Sequence, residues 1–162
     1  MVSLYTLTVG DVMVKDVIVI PSDQTVKHAA NVMSLEEIGC LVVVKEKNVV
    51  GIITEQDLIR RVIAVGEDPD KTLVFDVMST PPVVVSPELS LEKAIRLMFL
   101  HKIKKLIVVR GDDGNKVLVG LVTLTDIARI EPLFLKTLKS MFENYSEKPP
   151  RRIEKVMNYY IV

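Results

Sequence analysis

Two short segments of the chain carry the residue types that could bind a nucleotide. Each consists of glycine, two apolar residues, threonine, two further residues and aspartate. A threonine between a strand and a helix places its hydroxyl beside free backbone N–H groups, a favourable place for a phosphate. An aspartate one turn further on can accept two hydrogen bonds from a vicinal diol such as ribose. The segments are 51–57 and 120–126, and the polar groups they supply are Thr54 with Asp57 and Thr123 with Asp126.

A purely structural interpretation of the same residues stands beside the nucleotide one. Threonine followed three positions later by an acid is close to a capping box, and an acid in the first turn suits the helix dipole. Capping boxes prefer Glu or Gln at that position, yet Asp occurs in both segments, each time after glycine and two apolar residues. This repetition favours a ligand.

The two segments belong to an internal duplication. Each copy predicts the element order β-α-β-β-α, with the last helix starting near Thr54 or Thr123. The second copy is longer in the turn at 110–116. The matching parts are 9–13 with 74–78, 17–20 with 82–85, 26–33 with 91–98, 41–44 with 106–109 and 51–58 with 120–127.

The duplication defines the expected domains. The first repeat with its N-terminal segment is 1–64, a polar linker is 65–73, the second repeat is 74–130, and a C-terminal amphipathic helix and tail occupy 131–162. The strands are apolar at consecutive positions, so both faces of each sheet must be covered. We therefore expect an α/β (α+β) fold of two pseudo-symmetric repeats packed sheet to sheet, with clefts between them.

The composition excludes several classes of protein. The 162 residues include 21 Lys and Arg against 21 Asp and Glu, and 49% are hydrophobic. A disordered chain would be less hydrophobic and more charged, and a nucleic-acid binder usually carries excess base. The apolar runs are far shorter than the roughly 20 residues of a membrane span. With one cysteine and no recognisable signal peptide, the sequence predicts a soluble cytoplasmic protein.

Taken in order, these features resemble a tandem pair of CBS domains, often called a Bateman module. The resemblance covers residues 7–130 and rests on both glycine-to-aspartate segments and on the runs 11–13 and 76–87. It implies a non-enzymatic sensor, without cofactor or metal, that binds AMP, ADP, ATP or an S-adenosylmethionine-like ligand between the repeats. It also implies a homodimer that signals to a protein partner in trans. The aspartates would hold the ribose hydroxyls and the threonines would lie near phosphate.

The resemblance further implies an apolar slot for adenine near the first strand of each repeat. Basic residues just before the second strand of a repeat often meet phosphate in such modules. Only the second repeat has them, at Lys104 and Lys105; the first has Gly39 and Cys40. Which cleft these lysines serve stays open, and a solvated basic corner at a helix end is an alternative. The expected slot walls are Asp16, Val17 and Ile18 with Ile53, and Thr80, Pro82 and Val83 with Val122.

Two other classes of function remain. A structural or protein-interaction module would have vestigial clefts and would use the C-terminal segment, where Leu135, Leu138 and Phe142 share one helix face. A small enzyme ranks last, because His28 and His101 are not equivalent in the two repeats and no catalytic pairing or phosphate loop is present.

Overall fold

The computed structural model describes residues 7–111 and 116–130; the predicted C-terminal helix lies outside this range. The chain divides into two compact units, Met1–Ile127 and Ala128–Val162. The first repeat contains α1 (Val9–Val12), β1 (Val19–Pro21), α2 (Val26–Leu35), β2 (Cys40–Lys45), β3 (Asn48–Thr54) and α3 (Glu55–Leu58), which continues as a π-helix (Ile59–Ile63). The second contains α4 (Val74–Val77), β4 (Val84–Val85), α5 (Leu91–Leu100), β5 (Lys105–Arg110), β6 (Val117–Thr123) and α6 (Leu124–Ile130).

Each repeat forms its own three-stranded sheet, in the orders β1-β2-β3 and β4-β5-β6. The outer strand runs parallel to the middle one and the last two form an antiparallel hairpin, with the same register break in both. This confirms the β-α-β-β-α order. The first strands begin later than the predicted 17 and 82. Pro82 has no N–H to give to a ladder, and before β1 the chain pairs at Val14 with Leu121 of the other repeat.

Both long helices begin after an N-cap residue whose hydroxyl accepts a backbone hydrogen bond, and both bury one face. Thr25 accepts a hydrogen bond from the His28 amide, and Ser90 accepts one from the Lys93 amide. The buried positions are Val26, Ala29 and Met33 in α2 and Leu91, Ala94, Ile95 and Met98 in α5. Ala30, which the apolar spacing assigns to the same face, is exposed.

The middle strands are covered on both faces, as the consecutive apolar residues predict. Leu41 and Val43 of β2 point toward the α2 side and join a cluster with Met33. Val42, between them, points the other way and joins Ile107 of β5 in the contact between the two sheets. The repeats therefore pack sheet to sheet, with equivalent residues of the two middle strands in the same cluster.

The leading segment of each repeat packs on the other repeat. The Val9 amide donates to the Leu89 carbonyl at 2.8 Å, which holds α1 on the second repeat. In return the Val74 amide donates to the Gln24 carbonyl at 2.8 Å, and Val77 is buried in the core of the first repeat. Neither core is complete without a segment from the other repeat.

The exchanged segments explain the glycine that opens each motif. Ser79 pairs with Ile52, so the chain after α4 passes directly over β3. A Cβ on Gly51 would lie 2.7 Å from Met78 Sδ and 2.8 Å from the Ser79 carbonyl oxygen. Gly120 meets Met13 and Val14 in the same way. The glycines therefore make room for the crossing chain.

No helix within 7–111 and 116–130 is long and apolar enough to cross a membrane.

We expect Gly51→Ala to lower the free energy of unfolding by about 1–3 kcal/mol, the usual cost of forcing an extra group into a packed site. The Ser79 carbonyl is backbone and cannot rotate away. Urea unfolding followed by circular dichroism measures the change. Val117→Ala, at a position 55% exposed on β6, is the control and should change the unfolding free energy by less than about 0.5 kcal/mol. A Gly51→Ala protein as stable as this control would contradict the explanation.

Candidate functional site

Both motifs form a closed hydrogen-bonded box at the start of the last helix of their repeat. Oδ2 of Asp57 accepts from the Thr54 amide at 2.9 Å and from its hydroxyl at 2.7 Å, while the Asp57 amide donates to Thr54 Oγ1 at 3.2 Å. Thr123 and Asp126 repeat these bonds at 3.0, 2.7 and 3.1 Å. The capping interpretation therefore holds in both repeats, and one oxygen of each carboxylate is already used.

A third box of this kind occurs away from the motifs. Oδ2 of Asp11 accepts from the Thr8 amide at 2.7 Å and from its hydroxyl at 2.8 Å at the start of α1. These bonds, the backbone one first, hold the pKa of the Asp11 carboxyl below its ordinary value. Thr-x-x-Asp alone therefore does not mark a ligand site; what distinguishes Thr54 and Asp57 is the space beside them.

The two repeats differ in the partners of the second carboxylate oxygen. Oδ1 of Asp57 accepts a hydrogen bond from the Ser79 hydroxyl at 3.2 Å and lies 3.6 Å from Nη2 of Arg61. Oδ1 of Asp126 has no hydrogen-bond partner among the residues that the structure describes. The duplication puts Val14 where Ser79 stands, and valine has no donor to offer.

Arg61 joins this carboxylate to the exchanged helix. Its Nη1 donates to the carbonyl oxygens of Val77 at 2.7 Å and of Met78 at 2.8 Å, at the end of α4. A cation at a helix C-terminus satisfies carbonyls that have no partner within the helix. The link from Asp57 through Arg61 therefore ends on a segment whose position depends on how the two repeats fit together.

A cavity of about 660 Å³ lies beside Thr54 and Asp57, between the repeats. This volume is within the usual range for small-molecule sites, about 300–1,000 Å³. The first repeat contributes the polar pair with one apolar and one basic residue, and the second contributes most of the apolar wall and the lysines. Its lining includes Ile52, Thr54, Asp57 and Arg60 from the first repeat, and Ser79, Pro81, Pro82, Val83, Lys102, Lys104, Lys105 and Ile107 from the second.

Several expected residues are thus brought together in one place, which we call the Thr54 cleft. It unites Thr54 and Asp57 with Pro82 and Val83, and it contains the lysines 104 and 105 whose cleft the sequence left open. The slot wall comes from the repeat opposite to the Thr–Asp pair. The sequence analysis grouped each slot wall with a strand of its own repeat. In the structure the wall lies beside the Thr–Asp pair of the other repeat, because the leading segments are exchanged.

Other expected residues lie elsewhere. Ile53 and Val122 are completely buried, on the helix side of β3 and β6. Because side chains alternate along a strand, it is the preceding residue, Ile52, that lines the cleft. Thr80 is exposed, and its hydroxyl donates to the Val50 carbonyl at 2.9 Å.

The slot residues expected for the first repeat are not in the Thr54 cleft. Val17 packs against the cluster between the two sheets, as does Leu121, whereas Ile18 packs against the helix-side core and Asp16 is exposed. The bridge from Val14 to Leu121 mirrors the one from Ser79 to Ile52. This stretch therefore approaches the strand that leads to Thr123, which is the symmetry-related place.

The two lysines expected to meet phosphate have different surroundings. Nζ of Lys105 donates to the Gly39 carbonyl at 3.0 Å, so its ammonium already joins the repeats. It lies beside Cys40, whose thiol pKa is raised by burial despite the opposing effect of this ammonium. Lys104 is exposed, and neither its ammonium group nor that of Lys102 has an ion-pair or hydrogen-bond partner in the described part of the chain.

The sequence prediction missed Ile52, Ser79, Arg60 and Arg61. The alternation of β3 could have indicated Ile52, since Ile53 belongs to the buried run. Nothing local marks Ser79, which meets Asp57 only through the exchange. Arg61 follows Asp57 by four residues, and this i,i+4 spacing could have indicated the ion pair. Within 7–111 and 116–130, no three His, Cys, Asp or Glu side chains are grouped so that they could hold a metal ion.

The fold is that of a two-repeat α+β module with a cavity between its halves, and comparison with known proteins identifies it. The CBS domain family matches residues 9–64 and 74–132. The chain belongs to the CBS domain family, with two copies in tandem.

Relatives and solved structures agree with this assignment. CBS domain-containing protein YhcV of Bacillus subtilis (strain 168) is 38% identical over 121 residues, which is 75% of this chain and 83% of that protein. An inosine-5'-monophosphate dehydrogenase of Methanocaldococcus jannaschii is 38% identical over 120 residues, 74% of this chain but only 22% of the enzyme. The hexameric CBS-CP12 protein from bloom-forming cyanobacteria superposes with a TM-score of 0.68 at 32% identity, covering 93% of this chain and 80% of that one.

We expect Thr54→Ala and Thr123→Ala each to destabilise the ligand-free protein by about 1 kcal/mol, the typical value of a lost N-cap. Thermal unfolding without added nucleotide isolates this structural role. Thr125→Ala, an exposed threonine one position into α6, is the matched control. Unchanged melting temperatures in both cap variants would show that the boxes add nothing to stability.

Proposed function

We propose that this protein is a regulatory module that binds an adenosine nucleotide in the Thr54 cleft and passes the bound state to a partner protein. One observation carries the proposal: a single cavity between the repeats combines a carboxylate, apolar walls and lysine side chains. A ribose diol, a purine ring and phosphates need these three surroundings, in one molecule-sized space.

Each part of the nucleotide has a counterpart in the cleft. Oδ1 of Asp57 is the acceptor for the ribose hydroxyls, which take over the role that the Ser79 hydroxyl has without ligand. The adenine ring packs between Ile52 and the Pro82–Val83 wall, and the phosphates face Lys104. Thr54 holds the aspartate in place through its two hydrogen bonds.

Regulation follows from the cleft's position between the repeats. A ligand that touches both repeats favours the relative arrangement in which it makes both sets of contacts, and it shifts a population only by that difference in affinity. Arg61 extends the effect from Asp57 to the end of α4. That a related module makes up 22% of a dehydrogenase chain supports regulation of a protein partner, and we assign no catalytic step to this chain.

A second candidate is a structural or interaction module with vestigial clefts. It is favoured by the fact that both oxygens of Asp57 already have partners within the protein, from Thr54, Ser79 and Arg61. A carboxylate satisfied in this way needs no ligand. Nucleotide binding separates the two candidates.

We expect ATP or AMP to raise the melting temperature, since a ligand at 100 times its Kd adds about 2.7 kcal/mol of stability. Asp57→Asn keeps the shape of the capping box but turns one acceptor into a donor. Hydrogen bonds to a charged group contribute about 1.5–3 kcal/mol, so calorimetry should show a roughly 10- to 100-fold loss of affinity.

Asp11→Asn is the control for this variant, because Asp11 forms the same box outside the Thr54 cleft. It should bind the nucleotide as the wild type does. No stabilisation by AMP, ADP, ATP or S-adenosylmethionine would favour the interaction module. Equal nucleotide affinities of the Asp57→Asn and Asp11→Asn variants would show that Asp57 does not bind the ribose.

The protein also forms a homodimer in this proposal. Leu35 and Leu100 occupy equivalent ends of α2 and α5 and are 82% and 73% exposed. Ile59 and Ile63 of the π-helix add further exposed apolar surface. Exposed leucine at equivalent places in both repeats suits a second copy of the chain, because a two-fold contact uses the same surface on each partner. The structural neighbour that is hexameric supports self-association.

We expect Leu35→Glu combined with Leu100→Glu to shift the protein from dimer to monomer, because the charges would be buried without partners in the contact. Light scattering coupled to size-exclusion chromatography measures the mass. Val117→Glu, an exposed apolar residue at the start of β6, should leave the mass unchanged. A monomeric wild type, or a double variant that is still a dimer, would show that Leu35 and Leu100 do not form a dimer contact.

A further inference from the structure

We propose that the two clefts of one chain are selective for different charge: the Thr54 cleft accepts a nucleoside polyphosphate and the cleft at Thr123 and Asp126 excludes it. The selecting residues are Lys102 and Glu37. This inference rests on the proposed function and adds how many polyphosphates a chain holds and where.

Lys102 and Glu37 stand at the same point of the two repeats on the same backbone. Each follows the last turn of the long helix, with positive φ values of 54° and 53°. The next residue donates its amide back into the helix in both cases, Ile103 to Met98 and Ile38 to Met33, each at 2.9 Å. Their side chains therefore leave the backbone in the same direction, and they carry opposite charges.

Lys102 lines the Thr54 cleft together with Lys104. The symmetry of the repeats gives Glu37 the same relation to Thr123 and Asp126. The paired bridges from Val14 to Leu121 and from Ser79 to Ile52 obey the same symmetry and support this inference. The Thr54 cleft thus has the exposed cation Lys102 at the position where the symmetry places the exposed anion Glu37 in the other cleft. Glu55 also lines the Thr54 cleft and is common to every comparison made at residue 102.

Lys104 and Lys105 also line the Thr54 cleft, but each has a backbone or ammonium contact away from the cleft. The Lys105 ammonium bonds to Gly39 of the first repeat, while its backbone pairs with Thr123 of the second. The Lys104 carbonyl accepts from the Leu124 amide at the start of α6. We therefore base the charge selection on residues 37 and 102.

A polyphosphate carries several negative charges, AMP carries fewer and adenosine carries none. The charge at 37 or 102 therefore affects ATP most and adenosine least. Because both side chains are exposed, the effect is screened by salt and is largest at low ionic strength. The ratio of ATP affinity to adenosine affinity isolates charge selection from recognition of the nucleoside.

The test is isothermal titration calorimetry of the full chain with ATP, AMP and adenosine, at low and at high salt. The wild type should bind one ATP per chain. Lys102→Glu should weaken ATP binding by about 10-fold or more and adenosine binding by less than 2-fold, at a scale of one decade per 1.4 kcal/mol. Glu37→Lys should raise the stoichiometry toward two ATP per chain.

Lys47→Glu is the matched control. Lys47 is exposed, has a positive φ of 70° in the turn between β2 and β3, and does not line the Thr54 cleft. It undergoes the same charge reversal on the same kind of backbone, so any effect of net charge or local strain will appear in it too. Its ATP and adenosine affinities should equal those of the wild type.

The possible failures are distinct. Two equal ATP sites in the wild type, or an ATP-to-adenosine ratio that Lys102→Glu leaves unchanged while ATP still binds, overturn the charge selection alone. Binding of none of the three compounds by the wild type overturns the proposed function and this inference with it.

Discussion

The exchange of leading segments between the two repeats is the constraint on which the rest of the structure depends. Val74 and Val77 complete the core of the first repeat, and α1 is held on the second by backbone hydrogen bonds from Val9 and Gly10. The sheets then meet through Val42 and Ile107. Burial of these side chains supplies most of the free energy of such a contact, and the crossing chain fixes where the cleft opens and which repeat supplies each wall.

Asp57 illustrates how one side chain serves stability and a ligand site together. Its Oδ2 closes the capping box, and its Oδ1 faces Ser79, Arg61 and the cavity. The box fixes the carboxylate, so a ligand would meet an acceptor that is already oriented. The same box at Asp11 lies outside the Thr54 cleft, and there we assign it a structural role alone. The difference between the two lies in what the tertiary fold places opposite the carboxylate.

Much of this architecture was predictable because the relevant forces are local and repeated. Alternation and helical spacing gave the order of elements, and the resemblance to CBS domains is confirmed by the family match. The failures have physical causes. Prolines shortened β4, and the side-chain alternation of β3 buried Ile53 and turned Ile52 to the cleft. The pairing of walls within one repeat failed because the leading segments cross.

The sequence by itself determined the duplication, the Thr-x-x-Asp boxes and the charge difference between 37 and 102, since each follows from residue identity at short range or at a fixed repeat. Only the tertiary structure decided that the lysines share a cavity with Thr54, that the Lys105 ammonium already bonds to Gly39, and that Ser79 reaches Asp57. These relations join residues that are distant along the chain. Packing of one repeat on the other, not any local pattern, brings them within hydrogen-bond distance.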